Sequence, residues 1–125
     1  MSNASRKSRG AETQRLVAAY WRDHGWPFCT DAGAGRNGAD LINTPGLRPE
    51  IKAVRGFSIP SWLRQASQHP GPGLALVVQR PDGFGPATIG DWPMIFRQED
   101  GIILLRQAGY GDPLDYDGPL VLPEG

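Results

Sequence analysis

Between Arg9 and His24 apolar residues recur at helical spacing, with Leu16, Val17, Tyr20 and Trp21 on one side of a 3.6-residue wheel and Arg15 and Arg22 on the other. This pattern predicts a helix from about Arg9 to His24, stopped by Gly25. Residues 1–8 before it are small, polar and basic, and are expected to form a mobile arm. Trp26–Thr30 reads as a short strand that Pro27 restricts to an edge or a strand start. A glycine-rich loop follows at 31–38, then a second short strand at Ala39–Ile42 and a turn at Thr44-Pro45-Gly46.

Pro49–Val54 is expected to be a third strand. Ser58 and Pro60 open a helix through Trp62, Leu63 and Ala66 to about Gln68, ended by His69-Pro70-Gly71-Pro72-Gly73. Leu74–Arg80 holds the most apolar run and reads as a central strand covered on both faces. Short strands are expected near Ala87–Ile89 and Met94–Arg97, then a helix near Glu99–Ala108 ending at Gly109. Residues 111–125, with Pro113, Pro119 and Pro123, read as an irregular acidic tail. The order predicts one mixed α/β domain over residues 9–110.

Composition narrows the class. The 125 residues suit a single globular domain, at 39% hydrophobic and 21% charged. No apolar run approaches the roughly 20 residues of a membrane span. The first ten residues lack the apolar stretch of a secretory signal, so a cytoplasmic location is expected. One cysteine, Cys29, allows no internal disulfide, and with only His24 and His69 beside it no zinc-finger cluster can form. Cys29 itself reads as a small buried hydrophobe, and neither histidine has a partner that the sequence makes evident.

Charge adds a second layer. The formal net charge is zero, yet residues 1–64 carry ten basic and five acidic side chains, a balance of +5, and residues 65–125 carry −5. That split suggests a basic working half and an acidic remainder.

Two motifs compete for the chemistry. Gly33, Gly35 and Gly38 spell G-x-G-x-x-G, but a short strand and a Pro-Gly turn follow where a dinucleotide site needs a helix, and position 58 is Ser where an acid belongs. Glu50-Ile51-Lys52 is the stronger feature. Residues two apart on a strand share a face, so both charges project together, and Lys52 is one of only two lysines against 11 arginines. Composition alone supplies about 0.2 acid-x-Lys triplets in such a chain. A compact ammonium can orient or help activate a water.

Asp40, ten residues earlier, can meet Glu50 from a neighbouring strand. Two carboxylates with a backbone carbonyl, that of Ile51, are oxygen ligands Mg²⁺ accepts, leaving room for water and a phosphate. Glu12 on the first helix is placed to bind a second ion or an outer water, and Gln65 on the next helix to hold a water or a phosphate oxygen. Each residue also has a plain structural reading: a turn aspartate, a solvated cross-strand pair, compensation of a helix dipole. The set in its matching element order favours the site.

The constellation resembles the PD-(D/E)xK nuclease superfamily, in particular the short Holliday-junction-resolvase-like nucleases carried by bacteriophages. The likeness covers about residues 6–80 and rests on Arg6-Lys7-Ser8-Arg9-Gly10, Glu12, the glycine-rich loop before Asp40, Glu50-x-Lys52 and Gln65. It departs at Ala39, where the family often has proline, and at 32–34, where archaeal resolvases have a serine in a comparable loop.

The resemblance implies a restriction-endonuclease-like mixed central sheet flanked by helices and Mg²⁺-dependent cutting of phosphodiesters, with Mn²⁺ expected to substitute. It assigns metal or catalytic roles to Glu12, Asp40, Glu50 and Lys52. Arg6, Lys7, Arg9, Arg15, Arg36 and Arg55 become candidates to follow a phosphate backbone. No recognition helix or finger is visible, so branched DNA read by structure is the expected substrate. Resolvases of this kind are homodimers, and a phage-encoded one works in the host cytoplasm. Trp62, Leu63, Trp92 and Phe96 suit either an interface or the core. Nucleases acting on flaps, ends or simple duplex, a non-catalytic DNA-binding module and a small interaction module stay as alternatives.

Overall fold

Two parallel six-residue strands, β3 (Leu47–Lys52) and β4 (Leu74–Gln79), form the centre of the fold. The computed structural model describes residues 3–33, 38–53 and 58–112, with side chains described from Ser8 onward. The element order is α1 (Asn3–Arg22), β1 (Thr30–Asp31), β2 (Leu41–Ile42), β3, α2 (Ile59–Ser67), β4, a 3₁₀ helix at Pro86–Asp91, β5 (Met94–Ile95) and α3 (Gln98–Gln107). A three-stranded mixed sheet runs β3-β4-β5, with β5 antiparallel, and β1 and β2 make a separate antiparallel pair. The class is mixed α/β.

Strand alternation sorts the two faces. Ile51, Leu76 and Val78 point into a core closed by Val17, Ala18 and Trp21 of α1, with Cys29, Leu41 and Trp92. Ala75 and Val77 point the other way, against Trp62 and Ala66 of α2. Burial of all six β4 residues follows from helices on both sides, as its unbroken apolar run requires. On α1 the buried side chains Thr13, Val17 and Trp21 repeat every four residues, and Leu16 and Tyr20 flank them half-buried.

Several boundaries differ from the pattern-based reading. Helix α1 starts at Asn3, so residues 3–8 are helical where an arm is expected; serine and charged residues offer no breaker, and their sequence carries no apolar stripe to announce a helix. Trp26–Thr30 is mostly turn, because Trp26 N–H and Cys29 N–H bond back to Trp21 and Trp26 carbonyls, leaving only Thr30–Asp31 extended. The 3₁₀ helix replaces the strand expected at Ala87–Ile89, with Pro86 supplying the fixed φ of its first turn. β3 begins at Leu47 and ends at Lys52. The tail from Pro113 lies outside the described residues.

Candidate functional site

On β3 the side chains of Pro49 and Ile51 lie on the α1 face, which leaves Glu50 and Lys52 together on the α2 face. Glu50 is buried at 4% exposure, a position a carboxylate holds only when paired. Both of its oxygens are engaged. Lys52 Nζ stands 3.3 Å from Oε1, and His69 Nε2 stands 2.5 Å from Oε2. Lys52 Nζ also donates to Gln65 Oε1 at 2.7 Å. The result is one polar chain, Gln65–Lys52–Glu50–His69, between the strand and the helix that follows it.

Asp40 closes the site from the edge of the sheet. Its N–H donates to Pro49 O at 3.0 Å, and its Oδ2 accepts the Ile51 N–H at 2.7 Å. Burial pushes the Asp40 carboxyl up from its ordinary value, the Ile51 N–H opposes that, and the charge of Glu50 raises it further. His69 and Lys52 act in the opposite direction. N–H and C=O of one strand residue point to the same edge, so the Ile51 carbonyl shares the edge that Asp40 occupies.

The two carboxylates and that carbonyl are an all-oxygen donor set. Burial is the main cause that raises the Asp40 carboxyl, and the charge of Glu50 adds to it; a divalent cation would offset both. The residues fit a hard cation that keeps several waters, while no group of three or more His, Cys, Asp and Glu side chains among the described residues converges as a complete metal cage.

Glu12 sits elsewhere. Its half-exposed carboxylate is 3.3 Å from Nη1 of Arg80, whose side chain is buried. Arg80 also donates to Thr13 Oγ1 and, through Nε, to Phe84 O, and lies 5.4 Å over the Trp92 ring. The structure therefore brings together Asp40, Glu50, Lys52 and Gln65, and sets Glu12 against Arg80.

The basic residues divide in the same way. Arg9 donates to Ala53 O and Pro81 O, Arg22 to Cys29 O, and Arg48 to Ser67 O, His69 O and Gly73 O. These three arginines hold the fold together, so the +5 of the first half overstates the charge offered to a partner. Arg15 is exposed on α1. Arg36 and Arg55, and the side chains of Arg6 and Lys7, lie outside the described residues.

Sequence reasoning passed over His69. The signal available was its position four residues after Gln65, which places both on one face where α2 ends. The aromatic and apolar candidates for a subunit interface prove to be core: Trp62 and Trp92 are buried, and Leu63 and Phe96 pack half-buried against them. Cys29 is buried as expected, and burial raises its thiol. No helix among the described residues is long and apolar enough to cross a membrane. Comparisons with protein-family models, curated proteins and solved structures found no match to this chain.

Proposed function

We propose that the chain is a Mg²⁺-dependent endodeoxyribonuclease acting on branched DNA, Holliday junctions foremost, as a cytoplasmic homodimer with a restriction-endonuclease-like sheet. The observation that carries the reading is the arrangement on β3: Glu50 and Lys52 share one face, and Asp40 binds the peptide N–H between them. Asp40, Glu50 and the Ile51 carbonyl would hold the ion. When bound, the ion supplies a water of lowered pKa and neutralises charge developing on the phosphate. Lys52 orients that water, and Gln65 fixes the ammonium by its 2.7 Å hydrogen bond. Arg15, with Arg6, Lys7, Arg36 and Arg55, follows the phosphate backbone. Glu12 serves the fold through Arg80.

The test is a panel of junction, flap, duplex and single-stranded substrates with Mg²⁺ and with chelator, using the full chain, Asp40→Asn and Glu50→Gln. Junction cleavage that needs Mg²⁺ and is lost in both variants supports the reading. Cleavage that persists in either variant overturns it. A second reading, a non-catalytic DNA-binding module, draws on the full pairing of Glu50 by Lys52 and His69. DNA affinity that persists without any Mg²⁺ or Mn²⁺ binding would favour it.

A further inference from the structure

We infer that Phe28 is a stacking platform for an unpaired nucleobase, with Arg15 of α1 as a phosphate contact for the same strand. The inference rests on the DNA-binding part of the reading above, needs no metal, and names the feature of branched DNA that the chain recognises.

Phe28 is 78% exposed, the most of any large hydrophobic side chain among the described residues. A ring left in water forgoes the gain that burial would bring. Its companions on the turn do the opposite. Trp26 packs half-buried against the core, 5.1 Å from the Trp21 ring, and Cys29 is buried.

The turn that carries the ring is braced. Trp26 N–H donates to Trp21 O and Cys29 N–H to Trp26 O, each at 3.0 Å, and Pro27 fixes φ between them. Arg22 Nη1 secures the far side through Cys29 O at 2.8 Å. A flat ligand that lands on this ring therefore orders little that is not ordered already.

The surroundings select the ligand. Arg22, Asp23, His24, Gly25 and Pro27 are the exposed residues before the ring, so it has no apolar rim of the kind a protein partner fills. Arg15 is exposed seven residues before Arg22, on the same face of α1 and about 10 Å away along the axis. Among the described residues Arg15 pairs with no acid. A free π-face with a free cation nearby matches a nucleobase and its phosphates, and stacking accepts every base. Bases inside a duplex are already stacked on both faces, so the ring favours one released at a branch, gap or end.

The platform is tied to the candidate site. At most about 14 Å of chain runs from Phe28 to Ala32, whose N–H donates to Asp40 O at 2.8 Å. Between them β1 is paired with β2, Thr30 opposite Ile42 and Asp31 opposite Leu41. A strand seated on Phe28 is thereby held near Asp40.

The experiment measures fluorescence anisotropy in chelator, with a single strand, a junction and a blunt duplex, on the full chain, Phe28→Ala, Phe28→Leu and Phe28→Trp. Phe28→Leu keeps an apolar side chain without a π-face, and each variant is first checked for native circular dichroism. The Ala and Leu variants are expected to lose about fivefold or more in affinity for the single strand and less than about twofold for the duplex, while Phe28→Trp binds both like the full chain. Arg15→Gln should weaken both and reduce the salt dependence of binding. A single strand carrying 5-iodouracil should photo-cross-link to position 28 in the full chain. Unchanged single-strand affinity in Phe28→Ala, or equal losses on strand and duplex, overturns the platform and leaves the nuclease reading intact. Absence of DNA binding by the full chain overturns both.

Discussion

Lys52 Nζ lies 3.3 Å from Glu50 Oε1, and the two side chains project from positions two apart on the same buried strand. The pair costs desolvation that mutual attraction offsets only while both partners remain. Replacing Lys52 with Met leaves Glu50 with His69 alone, and destabilisation of about 1–3 kcal/mol in urea denaturation is expected. Glu50→Gln removes the charge that needs pairing and should cost less stability. On the nuclease reading both variants lose about 10²-fold or more in cleavage, so stability and activity separate.

Arg80 and Glu12 form an ion pair whose halves should behave unequally. Glu12→Gln alters a half-exposed carboxylate and should change stability by less than about 1 kcal/mol. Arg80→Met abandons the fully buried Thr13 hydroxyl, the Phe84 carbonyl and the Trp92 face together, so a loss of about 2–4 kcal/mol is expected. Equal effects in chemical denaturation would refute this division.

Gly73 occupies φ +117°, and a Cβ there would stand 2.9 Å from the backbone C and O of Gly46. The two chains meet because Leu74 N–H donates to Gly46 O at 2.8 Å as β4 enters the sheet beside β3. Gly73→Ala therefore combines left-handed strain with a backbone clash and should cost about 2–4 kcal/mol. Gly71→Ala, at φ +98° with open space around it, carries strain alone and should cost about 1 kcal/mol. Thermal melts of the two variants make the comparison.

Asp40 gives the protein a pH signature. Its carboxyl titrates above the ordinary 3.8, so across the window above that value the native chain holds a proton that the unfolded chain has released. Unfolding free energy contributed by this group is therefore highest at low pH and falls as pH rises through the native value. Asp40→Asn, whose amide oxygen can still accept from Ile51 N–H, should flatten this slope when stability is followed against pH in chelator. A slope equal to that of the parent chain would show that the group does not titrate as described.

Much of this arrangement was legible from residue order. β4 could be read from its apolar run, α2 from Ser58 and Pro60 at its start and the Pro-Gly loop at its end, and the shared face of Glu50 and Lys52 from strand parity. The start of α1 was hidden, because a polar stretch of sequence carries no hydrophobic periodicity. His69 and Arg80 were hidden for a different reason. Each gains its partner across the chain, 19 residues away for His69–Glu50 and 68 for Arg80–Glu12, and separations of that kind leave no local pattern. Charge counting misled for the same cause: Arg9, Arg22 and Arg48 look like surface cations and spend themselves on backbone carbonyls.

The contact between Asp40 and Ile51 also bears on solubility. β3 is an outer strand of its sheet, and an outer strand with vacant N–H groups invites pairing with another chain. Here the outward positions are blanked in turn. Pro49 has no N–H to give and its carbonyl is taken by Asp40 N–H, while the next outward N–H, that of Ile51, is spent on the Asp40 carboxylate. The same aspartate thus makes the rim of the sheet at Pro49 and Ile51 a poor template for the addition of another strand.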